Sequence, residues 1–141
     1  MAHAERKEIF DAPIEKVYQA ITDYDAYPDF VEGVNGVKVI EQSEDGALVE
    51  YSLNFIKTFS YRLRMSHERP TKISWELESG DLFKANSGSW TLRDMGDGRT
   101  EVNYDLTLDV KMFAPSALVN KLASQSLPAM LQSYHKRARS L

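Results

Sequence analysis

The sequence predicts an α+β fold in which a seven-stranded, curved antiparallel sheet wraps around one long C-terminal helix. Residues from about 37 to 110 alternate apolar and polar side chains with a period of two, the pattern of an antiparallel sheet with one dry face and one wet face. Residues 115–139 show instead a broad apolar arc at helical spacing. No internal repeat, low-complexity tract or Pro/Gly/Ser linker divides the 141 residues, so 1–141 is expected to be one domain.

Residues 4–10 read as an opening strand. Asp11-Ala12-Pro13 follows, with Pro13 suited to the first position of a helix and Glu15 placed where a capping acid belongs. Ile14, Val17, Tyr18 and Ile21 recur at i, i+3, i+4 and i+7, so this helix buries one face. It breaks at Asp23-Tyr24-Asp25-Ala26-Tyr27-Pro28, after which one or two helical turns carry Phe30 and Val31 and end near Gly33 and Gly36.

Six strands then form a meander. Glu44-Asp45-Gly46, Arg69-Pro70-Thr71, Ser79-Gly80-Asp81 and Gly96-Asp97-Gly98 supply the turn chemistry between them, with a further tight turn near Ile56-Lys57-Thr58. On the dry parity lie Val49, Tyr51, Leu53, Phe55, Phe59, Tyr61, Leu63, Met65, Ile73, Trp75, Leu77, Trp90, Leu92, Val102, Tyr104, Leu106, Leu108 and Val110. The helix over 115–139 would be about 37 Å long at roughly 1.5 Å per residue, enough to cross the sheet. Its inward arc holds Leu118, Val119, Leu122, Ala123, Ser126, Leu127, Met130, Tyr134 and Ala138, and its polar arc holds His135. Pro128, on the polar side, removes a backbone hydrogen bond and is expected to bend the helix toward the sheet.

Composition excludes several functions. With no cysteine there are no disulfides, thiol nucleophiles or Cys-based zinc sites. Met1 to Lys7 lacks the apolar core of a signal peptide, and no run approaches the roughly 18 apolar residues of a membrane span. A cytoplasmic protein is expected, with transient membrane contact still compatible and no oligomeric state implied. A net charge of −4 argues against general nucleic-acid binding. The one basic cluster, His135-Lys136-Arg137-Arg139, complements the C-terminal dipole of the last helix.

A strongly curved sheet around one helix leaves an interior that the helix need not fill. Ala123 and Ser126 are small, and the facing strands are rich in aromatics, so an elongated apolar pocket is expected. Its candidate lining is Phe30, Tyr51, Phe55, Phe59, Tyr61, Met65, Trp75, Leu77, Phe83, Trp90, Tyr104 and Leu106 from the sheet side, and Val119, Ala123, Ser126 and Met130 from the helix. Three inward tyrosine hydroxyls, with His67 and Asn86 on or near the same parity, indicate a partly wet or ligand-filled interior. Leu82 and Phe83, at a hairpin tip, are expected to gate it together with the Phe30 segment.

No catalytic set stands out. Ser87-Gly88-Ser89-Trp90 is not a nucleophile elbow, Gly96-Asp97-Gly98 is not a phosphate loop, and His3, His67 and His135 have no metal-ligand spacing. No cofactor or metal is therefore expected. His67 is the best acid/base candidate, although its place at a strand end favours exposure.

Asp11-Ala12-Pro13-Ile14-Glu15-Lys16-Val17-Tyr18, Asp23 to Val31 with its D-x-x-x-Y-P-x-F pattern, Gly88-Ser89-Trp90-Thr91-Leu92, and Leu127-Pro128-Ala129-Met130 with Arg137-Ala138 occur in an order that resembles the START-like, or SRPBCC, helix-grip superfamily. The likeness is to its polyketide cyclase/dehydrase and coenzyme Q-binding branches and covers nearly the whole chain. It implies binding or transport of a lipid, isoprenoid quinone or polyketide-like molecule in an internal cavity. A cyclase, dehydratase or hydrolase working without metal is the alternative. A toxin branch that associates with the ribosome is also similar, and a continuous basic patch of Arg62, Arg64, Lys136 and Arg137 would favour that role.

Overall fold

The computed structural model describes residues 2–30, 36–54, 58–111 and 127–141, apart from the side chains of residues 2, 53, 54 and 127–129. Its elements are β1 (Ala2–Phe10), α1 (Ile14–Thr22), a 3₁₀ turn (Tyr24–Ala26), α2 (Tyr27–Phe30), β2 (Gly36–Gln42), β3 (Gly46–Asn54), β4 (Thr58–Glu68), β5 (Lys72–Gly80), β6 (Phe83–Asp94), β7 (Thr100–Val110) and α3 (Leu127–Ser140). The strands form one seven-stranded antiparallel sheet in the order β1-β7-β6-β5-β4-β3-β2. The meander accounts for every pairing except that of β1, which returns to lie beside β7 with Phe10 opposite Thr100.

Alternation decides which side chains meet. Val49, Tyr51, Phe59, Leu63, Met65, Ile73, Trp75, Trp90, Leu92, Val102 and Tyr104 are buried on one face. Charges on the other face pair across strands: Arg62 with Glu50 at 3.4 Å, Arg64 with Glu41 and Glu78 at 3.2 Å each, and Arg93 with Glu101 at 3.0 Å. Irregular register between Val39 and Glu41, Arg62 and Leu63, and Phe83 and Ala85 breaks three ladders, and such bulges bend the strands that carry them.

The helices correct the sequence reading in detail. Pro13 stands just outside α1 instead of at its first position, and its carbonyl accepts the N–H groups of Lys16 and Val17. Glu15 makes no cap and pairs with Arg69 at 3.0 Å. In α3, Leu131, Tyr134 and Ala138 are buried, and Arg137 and Arg139 lie in the last turn, where cations favour the helix dipole. His135 is not on a wet face. Its ring stacks on Phe10 at 4.7 Å, and its Nε2 accepts the Asp11 N–H at 2.9 Å, which ties α3 to the end of β1. Residues 115–126 of the expected helix, and hence a bend at Pro128, lie outside the described residues. Among the described residues no helix is long and apolar enough to cross a membrane.

Gly88 on β6 pairs with Trp75 on β5. A Cβ there would lie 2.2 Å from the Asp105 carbonyl oxygen and 2.6 Å from the Trp75 ring. Only a bare backbone lets that indole lie across β6. Gly88→Ala is therefore expected to cost about 1–3 kcal/mol, the usual range for overpacking, as a lower urea midpoint at unchanged m-value.

Candidate ligand-binding site

The buried apolar residues fall into two clusters. The larger gathers α1, the 3₁₀ turn, α2 and α3 against the sheet and includes Ile21, Tyr24, Tyr27, Tyr51, Trp90 and Leu131. The smaller consists of Phe59, Leu82 and Phe83, with Leu108 and Val110 packed against it. Tyr61 and Leu77 touch both. Every described helix belongs to the larger cluster, whereas the smaller one is built from strands and the β5–β6 turn.

Two runs of neighbouring rings leave Phe30. One passes through Tyr27 (5.6 Å between centroids), Tyr51 (6.3 Å), Tyr61 (5.4 Å) and Phe83 (4.9 Å). The other passes through Tyr134 (5.4 Å), Trp90 (4.7 Å), Tyr104 (4.7 Å) and Trp75 (5.8 Å). Aromatic side chains on alternate positions of adjacent strands produce such rows because same-face neighbours are in direct reach. A Cβ on Gly80 would meet that of Tyr61 at 2.6 Å, so the end of β5 lies close over the Tyr61 ring's strand.

The buried polar groups divide sharply. Tyr24 Oη lies 2.7 Å from His67 Nε2, and backbone carbonyls of Glu44 and Ser43 take up hydrogen bonding from the imidazole, so the phenol O–H donates to a neutral ring. Tyr27 Oη donates to the Ile21 carbonyl, Trp75 Nε1 to Asn86 Oδ1 at 3.0 Å, and Thr100 Oγ1 to the Ala12 carbonyl at 2.8 Å. His67 and Asn86 are thus satisfied by the protein. His67 is buried, contrary to the exposure its strand-end position favoured, because the 3₁₀ turn and the β2–β3 turn close over it. The hydroxyls of Tyr51, Tyr61 and Tyr104, by contrast, have no hydrogen-bond partner among the described residues. Burial raises the pKa of all three, that of Tyr61 to about 12, so they are neutral donors at physiological pH.

Most of the expected lining is brought together. Tyr51, Met65, Trp75, Trp90 and Tyr104 are buried in the larger cluster, with Phe30, Leu77, Leu106 and Met130 packed against it. Phe59 and Phe83 form the smaller cluster with Tyr61 at its edge. Phe55, Val119, Ala123 and Ser126 lie outside the described residues. Leu82 and Phe83, the expected gate residues, are both buried, and Phe30 marks the opposite end of the first ring run from Phe83. The expected lining left out Tyr134, although it lies on the inward arc, and also Tyr24 and Tyr27, whose i, i+3 spacing on one helical turn was a usable signal. A concavity of about 470 Å³ on the wet face of β4, β5 and β6 is lined by Arg64, Lys72, Glu76 and serines. It is polar and open, the wrong chemistry for an apolar ligand.

This arrangement of sheet and helices is the START-like helix-grip fold. The chain belongs to the polyketide cyclase/dehydrase and lipid transport family, whose model matches residues 10–134. It is 25% identical to the ribosome association toxin RatA of Pseudomonas aeruginosa, over 99% of this chain and 96% of that protein. Similar solved structures include the Zhui aromatase/cyclase from Streptomyces sp. R1128 (TM-score 0.82, 15% identity, 98% of this chain and 93% of that one). A START superfamily protein from Mycobacterium smegmatis gives a TM-score of 0.81 at 19% identity, covering 98% and 97% of the two chains. A STAR-related lipid transfer protein from Xanthomonas axonopodis gives 0.74 at 14%, covering 97% and 85%. At such identities the three structures establish the fold alone.

Desolvation depresses the His67 pKa below its ordinary 6.5. Between that lowered value and 6.5 the unfolded chain binds more protons, so stability is fully present above 6.5 and is lost as pH falls below it. The urea midpoint should drop between pH 7.5 and 5.5, with a shallower slope in His67→Gln. Tyr24→Phe removes the donor to Nε2 and is expected to cost about 1–3 kcal/mol at pH 7.5.

Proposed function

We propose that the chain binds or transports an elongated hydrophobic small molecule, of lipid, isoprenoid quinone or polyketide-like class, between its sheet and its C-terminal helix. The observation that carries this is the division of the described interior into two apolar clusters that share Tyr61 and Leu77, with three tyrosine hydroxyls near them that have no partner among the described residues. Apolar walls with a few fixed polar groups suit a molecule that is mostly hydrocarbon and carries a carbonyl or hydroxyl. The family description, which includes lipid transport, supports the same reading. The Tyr24 and His67 side chains bond each other, so this acid/base pair is engaged in holding the fold, which favours a carrier over a cyclase.

Native mass spectrometry of the purified protein, followed by solvent extraction, should reveal a co-purifying apolar molecule or uptake of an added one. A protein that takes up neither lipid nor quinone would refute the proposal. Leu77→Trp supplies a second test, because the enlarged side chain would enter the junction between the clusters. It is expected to weaken binding of the neutral apolar dye N-phenyl-1-naphthylamine at least tenfold while leaving the urea midpoint nearly unchanged. A loss of about 1–3 kcal/mol of stability would indicate a filled core at that position.

The full-length similarity to RatA favours a second reading, association with the ribosome. Against it, Arg62 and Arg64, half of the basic patch that would support this role, are each paired with carboxylates. Co-sedimentation with ribosomes at about 0.1 M salt, where the Debye length is about 10 Å, separates the two.

A further inference from the structure

Arg137 occupies an unusual position in α3. Its Nε is the one buried side-chain nitrogen or oxygen without a hydrogen-bond partner among the described residues. Its Nη2 reaches Asp23 Oδ2, at the end of α1, only at 3.4 Å. Nε and Nη2 form one edge of the guanidinium, the edge that a carboxylate grips with both oxygens. Asp23 therefore fills half of that edge, and poorly. A buried orphan donor is costly enough to require a reason, and a charged one more so.

The surroundings supply the reason. The guanidinium carbon lies 5.6 Å from the centroid of Phe30, the residue from which both ring runs begin. Tyr134, one turn before Arg137 on α3, packs on Phe30 and Trp90. The first run ends at Phe83 in the all-apolar smaller cluster. A cation whose bidentate edge is only half engaged thus stands at one end of an aromatic row, and hydrocarbon at the other.

We infer that Arg137 selects amphipathic acids: it holds the carboxylate of a ligand on its Nε/Nη2 edge while the apolar tail runs along Tyr27, Tyr51 and Tyr61 toward Phe83. Asp23 holds the guanidinium in place when no acid is bound and competes with the ligand for Nη2. Arg137 is then the specificity-determining residue of the site. This inference rests on the proposed apolar-ligand function and adds the chemical class of the ligand's head.

The test compares decanoate with 1-decanol and methyl decanoate at pH 8 by displacement of N-phenyl-1-naphthylamine. A bidentate charge-assisted pair is expected to make decanoate about tenfold tighter than either neutral analogue. Arg137→Gln should bring that ratio to about one, and Arg137→Lys, which keeps the charge without the fork, to an intermediate value. Asp23→Asn removes the competing carboxylate and should raise the ratio further. Equal binding of acid and alcohol by the wild-type protein, or a preference that survives in Arg137→Gln, overturns the inference and leaves the carrier function standing. If neither the dye nor any of the three ligands binds, the carrier function itself fails and this inference falls with it.

Discussion

One mismatch of size governs this molecule. Seven strands at about 4.8 Å spacing present a face roughly 29 Å wide, whereas a helix with its side chains is only about 10–12 Å across. The described helices all stand at the larger cluster, where α1 packs on α3 and α2 follows behind. The rest of the concave face must be closed by the sheet itself. It does so by bending at three register shifts and by folding Leu82 and Phe83 inward at the β5–β6 turn, beyond the last paired residues Glu76 and Ser87. Rings line this face because long, flat side chains reach farthest from a curved backbone.

The polar groups within it follow from the cost of desolvation. An unpaired buried hydroxyl or amide is expensive, so a fold retains one only where something satisfies it. His67, Asn86, Tyr27 and Thr100 find partners inside the protein and fix the helices and strands relative to one another. Among the described residues the hydroxyls of Tyr51, Tyr61 and Tyr104 find none, nor does Arg137 Nε. In the proposed reading a ligand's acidic head satisfies Arg137 Nε, and the three hydroxyls are left for polar groups along its body.

Much of this was legible in the chain. A period of two fixes which face each strand residue takes, so the inward positions of Tyr51, Trp75, Trp90 and Tyr104 follow from alternation alone. Contacts between elements distant in sequence did not follow. His135 lies on the polar arc of its helix by periodicity, yet it is half-buried because β1 ends beneath it and Asp11 offers an unpaired N–H. His67 is buried by a 3₁₀ turn more than forty residues earlier, a packing that no local pattern encodes. Tyr24 and Tyr27 look like parts of a helix break and become core because that break packs on β2 and on the rings of His67, Tyr51 and Tyr134.

The proposed function requires an apolar cavity at the junction of the two clusters, and diffraction from crystals of the ligand-free protein held under xenon pressure tests it most directly, since xenon settles in apolar cavities. Xenon bound in contact with Leu77, Tyr61 and Tyr104 is the expected result. A diffraction map with no xenon site beside these residues would contradict it.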